Sequence, residues 1–246
     1  MNEKLGKKPR IEIAVASLTR LVRDVLPDGI PVALRTFGGV GRSKAARCST
    51  TLTLPLAPLD RGAALDVVGR LRAIPKTLTP LGASLDAIAQ DLGSATGPQT
   101  LVLITDGAET CHGDVDAVIA RLRASGLDVH LNIVGFALDD DGLRAQMAAW
   151  ASAGGGTFAD ATDEASLGDA IAAAVNAPYR VIGPDGTVVA GGTVGGPPTP
   201  VPPGTWRIEV ASDPPVTYAE VVVQGGETVS IVLSSTAAIP PADEGS

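Results

Sequence analysis

Residues 101–114 read Leu101-Val-Leu-Ile-Thr-Asp106-Gly-Ala-Glu-Thr-Cys111-His-Gly-Asp114. Together with Thr100, the first part is an unbroken apolar run, Thr-Leu-Val-Leu-Ile-Thr. A strand covered on both faces needs such a run, because neither side meets water. The run stops at Asp106-Gly107. In open α/β sheets ligands bind beyond the carboxyl ends of the strands, so Asp106 stands where chemistry is expected. A carboxylate there must be hydrogen-bonded, solvated or bound to a metal.

Outward from this strand the chain alternates between two periodicities. Upstream, apolar residues at Ile11, Ala14, Leu18, Leu21, Val22, Val25 and Leu26 predict a helix over 10–26. Pro27-Asp28-Gly29 ends it. Residues 30–37 predict a short strand, residues 38–47 a Gly-rich basic turn, and 49–54 an alternating edge strand antiparallel to the first. Helices are expected over 59–74 and 81–92, the second with Pro80 in its opening turn, where a missing N–H costs nothing. Downstream the rhythm is helix 115–124, strand 128–136, helix 141–151, strand 157–160 and helix 163–175. Strand–helix alternation of this kind implies a mostly parallel sheet with helices on both faces.

Helical periodicity disappears after Asn176, and Pro and Gly become dense. Five short β-type runs (179–182, 187–190, 205–211, 218–223 and 228–233) predict a small antiparallel sandwich. The expected organisation is an α/β domain over 1–176, a small β-sandwich over 177–236 and a disordered tail over 237–246.

Composition narrows the function classes. Acidic residues outnumber basic ones 27 to 19, a formal net charge of −8, which is not the footprint of a nucleic-acid or anionic-membrane binder. There is no apolar run long enough to span a membrane. The basic N-terminus has no apolar stretch after it and is not a signal peptide as it stands. Two cysteines exclude a disulfide scaffold and an all-Cys zinc site. His112 and His130, the only histidines, read as ordinary loop and strand residues, and Arg42, Lys44 and Arg47 as a solvated turn. Thr79, in a loop neighbouring Asp106, adds a hydroxyl to the carboxylate. Both are hard oxygen donors of the kind that suit Mg²⁺, Mn²⁺ or Ca²⁺, although a helix cap and a turn explain them equally well.

Four segments carry a family resemblance. Thr79-Pro80-Leu81-Gly82-Ala83-Ser84-Leu85, the 101–114 stretch, Val134-Gly135-Phe136 and Ala153-Gly154-Gly155-Gly156-Thr157-Phe158 resemble, in order and spacing, segments of bacterial von Willebrand factor A (VWA) domains. The likeness covers about residues 1–175. It implies a three-layer, doubly wound α/β sheet and a divalent ion, Mg²⁺ or Mn²⁺, in a metal-ion-dependent adhesion site. Thr79 and Asp106 match two of the family's metal ligands. The remaining loop, Asp-x-Ser-x-Ser after the central first strand, has no counterpart, because the first helix begins about ten residues from Met1. Relatives often carry a Met just after the second Ser; on that reading Met1 is an internal residue of a longer protein, and the intact protein is periplasmic or on the cell surface. The central strand is then missing, each lost buried aliphatic side chain forfeits about 1.5–3 kcal/mol, and two strand edges face one another unpaired. An exported relative could bridge Cys48 and Cys111, which lie in loops at the same end of the domain; two unlinked thiols are the alternative.

Three functions compete. The first is a non-enzymatic adhesion-type module, whose family metal accepts a carboxylate from a partner protein but whose site here is degenerate, with metal binding weak or absent. The second is a structural domain that never binds metal. The third is an α/β hydrolase-type enzyme, which lacks a Gly-x-Ser-x-Gly elbow, a Walker loop and a dinucleotide fingerprint.

Overall fold

The computed structural model describes residues 1–93, 95, 99–127, 129–176, 178–193, 198–210 and 216–231. The chain opens on a two-residue-per-strand hairpin, β1 (Lys4–Leu5) and β2 (Lys8–Pro9), which the sequence reading missed. The residues leading into it serve the next element. Helix α1 (Arg10–Arg20) follows Pro9 and has no side-chain cap. Instead the Arg10 and Ile11 amides donate to the carbonyls of Glu3 (2.8 Å) and Met1 (3.1 Å), satisfying donors a helix start leaves orphaned. The helix widens into a π-helical turn over Leu21–Val25. Arg61 closes that end: its guanidinium donates to the carbonyls of Val22 and Leu26 and to the Asp28 carboxylate.

Strands β3 (Pro31–Phe37) and β4 (Thr50–Pro58) form the expected antiparallel pair, with Phe37 opposite Thr50. The turn between them holds a short helix, α2 (Lys44–Arg47), capped by the Ser43 hydroxyl. The helix expected over 59–74 is shorter, α3 (Arg61–Gly69). The one expected over 81–92 breaks at Ala87 into α4 (Leu81–Asp86) and α5 (Ile88–Leu92). Then come β5 (Gln99–Thr105), α6 (Val115–Ala124), β6 (Val129–Phe136), α7 (Asp141–Ala153), β7 (Gly155–Ala161) and α8 (Glu164–Val175). Strands β5, β6 and β7 are parallel and adjacent in that order.

The parallel strands are packed on both sides, most completely at β6. Leu103, Leu131 and Ile133 pack with Met147 and Trp150 on one face. Val134 and Phe136 pack with Ile13, Leu167 and Ile171 on the other. Odd and even positions of one apolar strand thus enter separate cores, as the pleat requires. A third core joins Val22, Leu26, Ala64 and Val68 to Val32, Leu34 and Leu54 of the β3–β4 pair. This is an α/β fold with a break at its centre. Among the described residues β3 pairs only with β4 and β5 only with β6, so no ladder links the two sheets. The N-terminal hairpin does not fill that place, since β1 and β2 pair only with each other. Met1 and Leu5 nevertheless pack into the same core as Val102 and Ile104.

After Asn176 the chain forms a single antiparallel sheet of β8 (Pro178–Ile182), β9 (Val188–Thr193), β10 (Gly204–Val210) and β11 (Val216–Val223), in the order β11-β10-β8-β9. The small β-domain is present, as one four-stranded sheet among the described residues. Of the strand expected over 228–233, residues 228–231 carry no strand, and 232–233 lie outside the described residues, as does the tail expected over 237–246.

Candidate functional site at the carboxyl end of the parallel sheet

Strand β5 delivers Thr105 into the core, 1% exposed, with its hydroxyl donating to the Gly107 carbonyl at 2.9 Å. That local bond closes a tight turn and leaves Asp106 at the rim, its side chain 18% exposed. The loop that follows is fastened to the start of α4 at several points. The Thr79 amide donates to the Thr110 hydroxyl at 2.7 Å, and the Thr110 amide returns a bond to the Thr79 carbonyl at 3.0 Å. The Glu109 carboxylate accepts from the Gly82 amide at 2.9 Å and from the Cys111 amide. Glu109 was not anticipated as a functional or positioning residue; a loop acid carries no periodic signal. Asp114 then caps α6 by accepting from the Ala117 amide at 2.9 Å.

Two glycines permit this approach. A Cβ on Gly82 would lie 2.9 Å from the Gly113 Cα, and one on Gly113 would lie 3.0 Å from the Gly82 Cα. Backbone meets backbone here, so neither side can yield by changing rotamer. Gly82→Ala is expected to cost about 2 kcal/mol, as overpacking does in a fixed environment. Urea unfolding measures it; a loss below a few tenths of a kcal/mol would show that the two loops are not held together as described.

A third loop joins the same end. Cys48 and Cys111 are disulfide-bonded with their Cα atoms 5.8 Å apart. Next to the bridge, the Leu78 amide donates to the Arg47 carbonyl at 3.2 Å. The loops carrying Thr79, Asp106 and Cys48 therefore form one braced surface.

The Asp106 carboxylate is engaged by positive charge from the chain itself. The Met1 α-ammonium donates to Oδ2, and Arg10 Nη1 lies 3.7 Å from the same oxygen. Arg10 also reaches Glu3 at 3.2 Å, is 8% exposed, and leaves its Nε buried without a hydrogen-bond partner. Burial and the adjacent Arg10 charge push the Met1 ammonium below the ordinary α-amino range, with Glu3 opposing. Thr79 is half-buried, with both main-chain polar groups bound to Thr110. Among the described residues, no three His, Cys, Asp or Glu side chains converge as a metal-holding group.

Comparison with known proteins places this arrangement in a family. The profile of the von Willebrand factor type A domain matches residues 8–173. The uncharacterized protein YwmD of Bacillus subtilis (strain 168) is 36% identical over 173 residues, which are 67% of this chain and 75% of that protein. The conserved hypothetical protein BatB from Bacteroides thetaiotaomicron shares the fold, with a TM-score of 0.52 at 18% identity over 69% of this chain and 88% of that one. An aerotolerance-related membrane protein from Bacteroides fragilis gives a TM-score of 0.49 at 19% identity over 67% and 87% of the two chains. The matched segment runs from β2 into α8, and the chain belongs to the von Willebrand factor type A domain family.

Proposed function

We propose that the chain is a non-enzymatic protein-recognition module that works without a divalent ion at Asp106. VWA domains generally mediate protein interactions, and generally bind metal. The observation that carries the metal-free reading is the Arg10 guanidinium, 8% exposed, with Nη1 3.7 Å from Asp106 Oδ2. A divalent ion would have to displace or approach that cation, and the family ligands matched in this chain are the Asp106 carboxylate and the neutral Thr79. Mg²⁺ wants six oxygens in near-octahedral array and sheds water reluctantly, so this donor set does not fit it. The Cys48–Cys111 bridge suits an oxidising compartment, which supports a site of action outside the cytoplasm. No described helix is long and apolar enough to cross a membrane.

The sign of one substitution separates a charge-paired site from a metal site. In a cluster of carboxylates built for metal, losing one acid relieves repulsion in the free protein. Here Asp106→Asn leaves the Arg10 guanidinium, 8% exposed, with the Glu3 carboxylate but without that of Asp106. It is expected to lower stability by about 2 kcal/mol, the size of a hydrogen bond to a charged group. Denaturant unfolding in chelator reads this, and calorimetry with Mn²⁺ should show binding of about millimolar strength or weaker. Stabilisation by the substitution, or firm Mn²⁺ binding, would overturn the metal-free half. The recognition half is tested by affinity capture from the source bacterium with chelator throughout. A protein partner should be retained intact; chemical turnover of the partner, or its absence, would sink this half.

A further inference from the structure

A cavity of about 390 Å³ opens beside the braced loops, between the Gly39–Gly41 turn and residues 74–76. Its charged lining is Arg42, Arg47 and Lys76, and no Asp or Glu lines it. Acids outnumber bases in this chain, so three cations around one cavity run against its composition. Among the described residues none of the three makes an ion pair. The Arg47 Nε is buried and has no hydrogen-bond partner. A buried guanidinium N–H without an acceptor is costly, and an anion held by the same guanidinium offsets that cost.

The wall is built rather than incidental. Arg47 ends α2, its carbonyl is held by the Leu78 amide, and the next residue is the bridged Cys48. Gly39 closes over α2 so tightly that a Cβ there would lie 2.3 Å from the Ala46 carbonyl oxygen. The remaining lining is apolar: Ile74, Pro75 and Val40, the last 75% exposed.

We propose that this cavity receives an Asp or Glu side chain from an acidic segment of a partner protein, gripped directly by Arg47, Arg42 and Lys76 with no metal between. This deepens, and rests on, the protein-recognition reading above. Planar guanidinium groups match a carboxylate's two oxygens. The apolar half of the lining suits the aliphatic stem of that side chain and an apolar neighbour beside it, which a free phosphate does not have.

The test is fluorescence anisotropy in chelator with a labelled peptide, Glu-Glu-Leu-Asp-Glu-Leu, against its amide counterpart, Gln-Gln-Leu-Asn-Gln-Leu. The acidic peptide should bind saturably and at least about tenfold more tightly, and raised salt should weaken it. Arg47→Gln and Lys76→Gln should each weaken it about tenfold, with Arg47→Lys recovering part of the loss. Arg70→Gln, exposed just beyond the end of α3, should change nothing, and thermal melts confirm that each variant is folded. Equal binding of the two peptides, unchanged affinity in the Arg47→Gln/Lys76→Gln double variant, or displacement by inorganic phosphate at lower concentration than by unlabelled peptide would each overturn the assignment. If that double variant still captures the cellular partner at full strength, the cavity is not the contact and the recognition reading stands. If wild type captures none, the broader reading fails first.

Discussion

Removing the Cys48–Cys111 bridge, by replacing both cysteines with serine, is expected to lower the free energy of unfolding by about 4 kcal/mol. The bonded residues are separated by 63 positions, a long loop for one covalent tie. Closing it in the unfolded chain removes entropy that grows with the logarithm of loop length, which sets that magnitude. The Cα separation of 5.8 Å is within the ordinary range, so the backbone need not distort to form the bond. The tie also has an unusual position. It connects the turn of the β3–β4 pair to the loop after β5, across two sheets that share no ladder. Urea unfolding of the oxidised protein against the double serine variant is the measurement. A loss of less than about 1 kcal/mol would mean that the unfolded chain is already restrained there, or that the bridge does not form.

The second large effect is expected at Asp91→Ala, about 3 kcal/mol. Arg35 on β3 makes a two-pronged contact with Asp91 on α5, Nε to Oδ2 at 2.5 Å and Nη2 to Oδ1 at 2.6 Å. Its remaining arm donates to the Thr50 hydroxyl at 3.2 Å. The side chains are 15% and 6% exposed, so water screens the pair little. The hydrogen bonds to Asp91 hold the guanidinium above its ordinary pKa, against the opposing effect of burial. Deleting the acid strands a largely desolvated cation, which is why the loss exceeds the net worth of the pair. Arg35→Met combined with Asp91→Leu should recover most of it, since an apolar pair of similar volume needs no compensation. A double variant as unstable as Asp91→Ala alone would show that packing, not the uncompensated charge, sets the cost.

The parts of this molecule that repeat were legible in its sequence, and the parts that meet only in space were not. The apolar run ending at Asp106 announced a strand buried on both faces; β5 buries Leu103 and Thr105 on one face, while Val102 and Ile104 on the other are partly buried. The α6 boundaries, Val115–Ala124, follow from helical spacing behind a capping acid. The helix expected over 59–74 ends at Gly69, a poor helix former whose effect apolar spacing alone does not register. The break at Ala87 left no mark in the pattern either. Arg35 and Asp91 lie 56 residues apart, and nothing near either one names the other. The cation beside Asp106 was equally hidden: Arg10 opens α1, far away in sequence, and reaches the carboxylate only in the fold. Arg42 and Lys44 lie exposed in the turn as expected, but spacing did not show that residues 74–76 line a cavity with Arg42 and Arg47.

The interrupted sheet has a consequence for how the protein opens. Main-chain hydrogen bonding makes neighbouring strands unfold together, and here that cooperativity stops at β5. The β3–β4 pair and its turn are coupled to the remainder through side chains, one covalent bond and the Leu78–Arg47 main-chain hydrogen bond, a softer connection than a ladder. In native-state hydrogen exchange the chain should therefore behave as two units with separate opening free energies. Amides of β6, flanked by strands on both sides, report the slower unit, and those of β3 and β4 the faster.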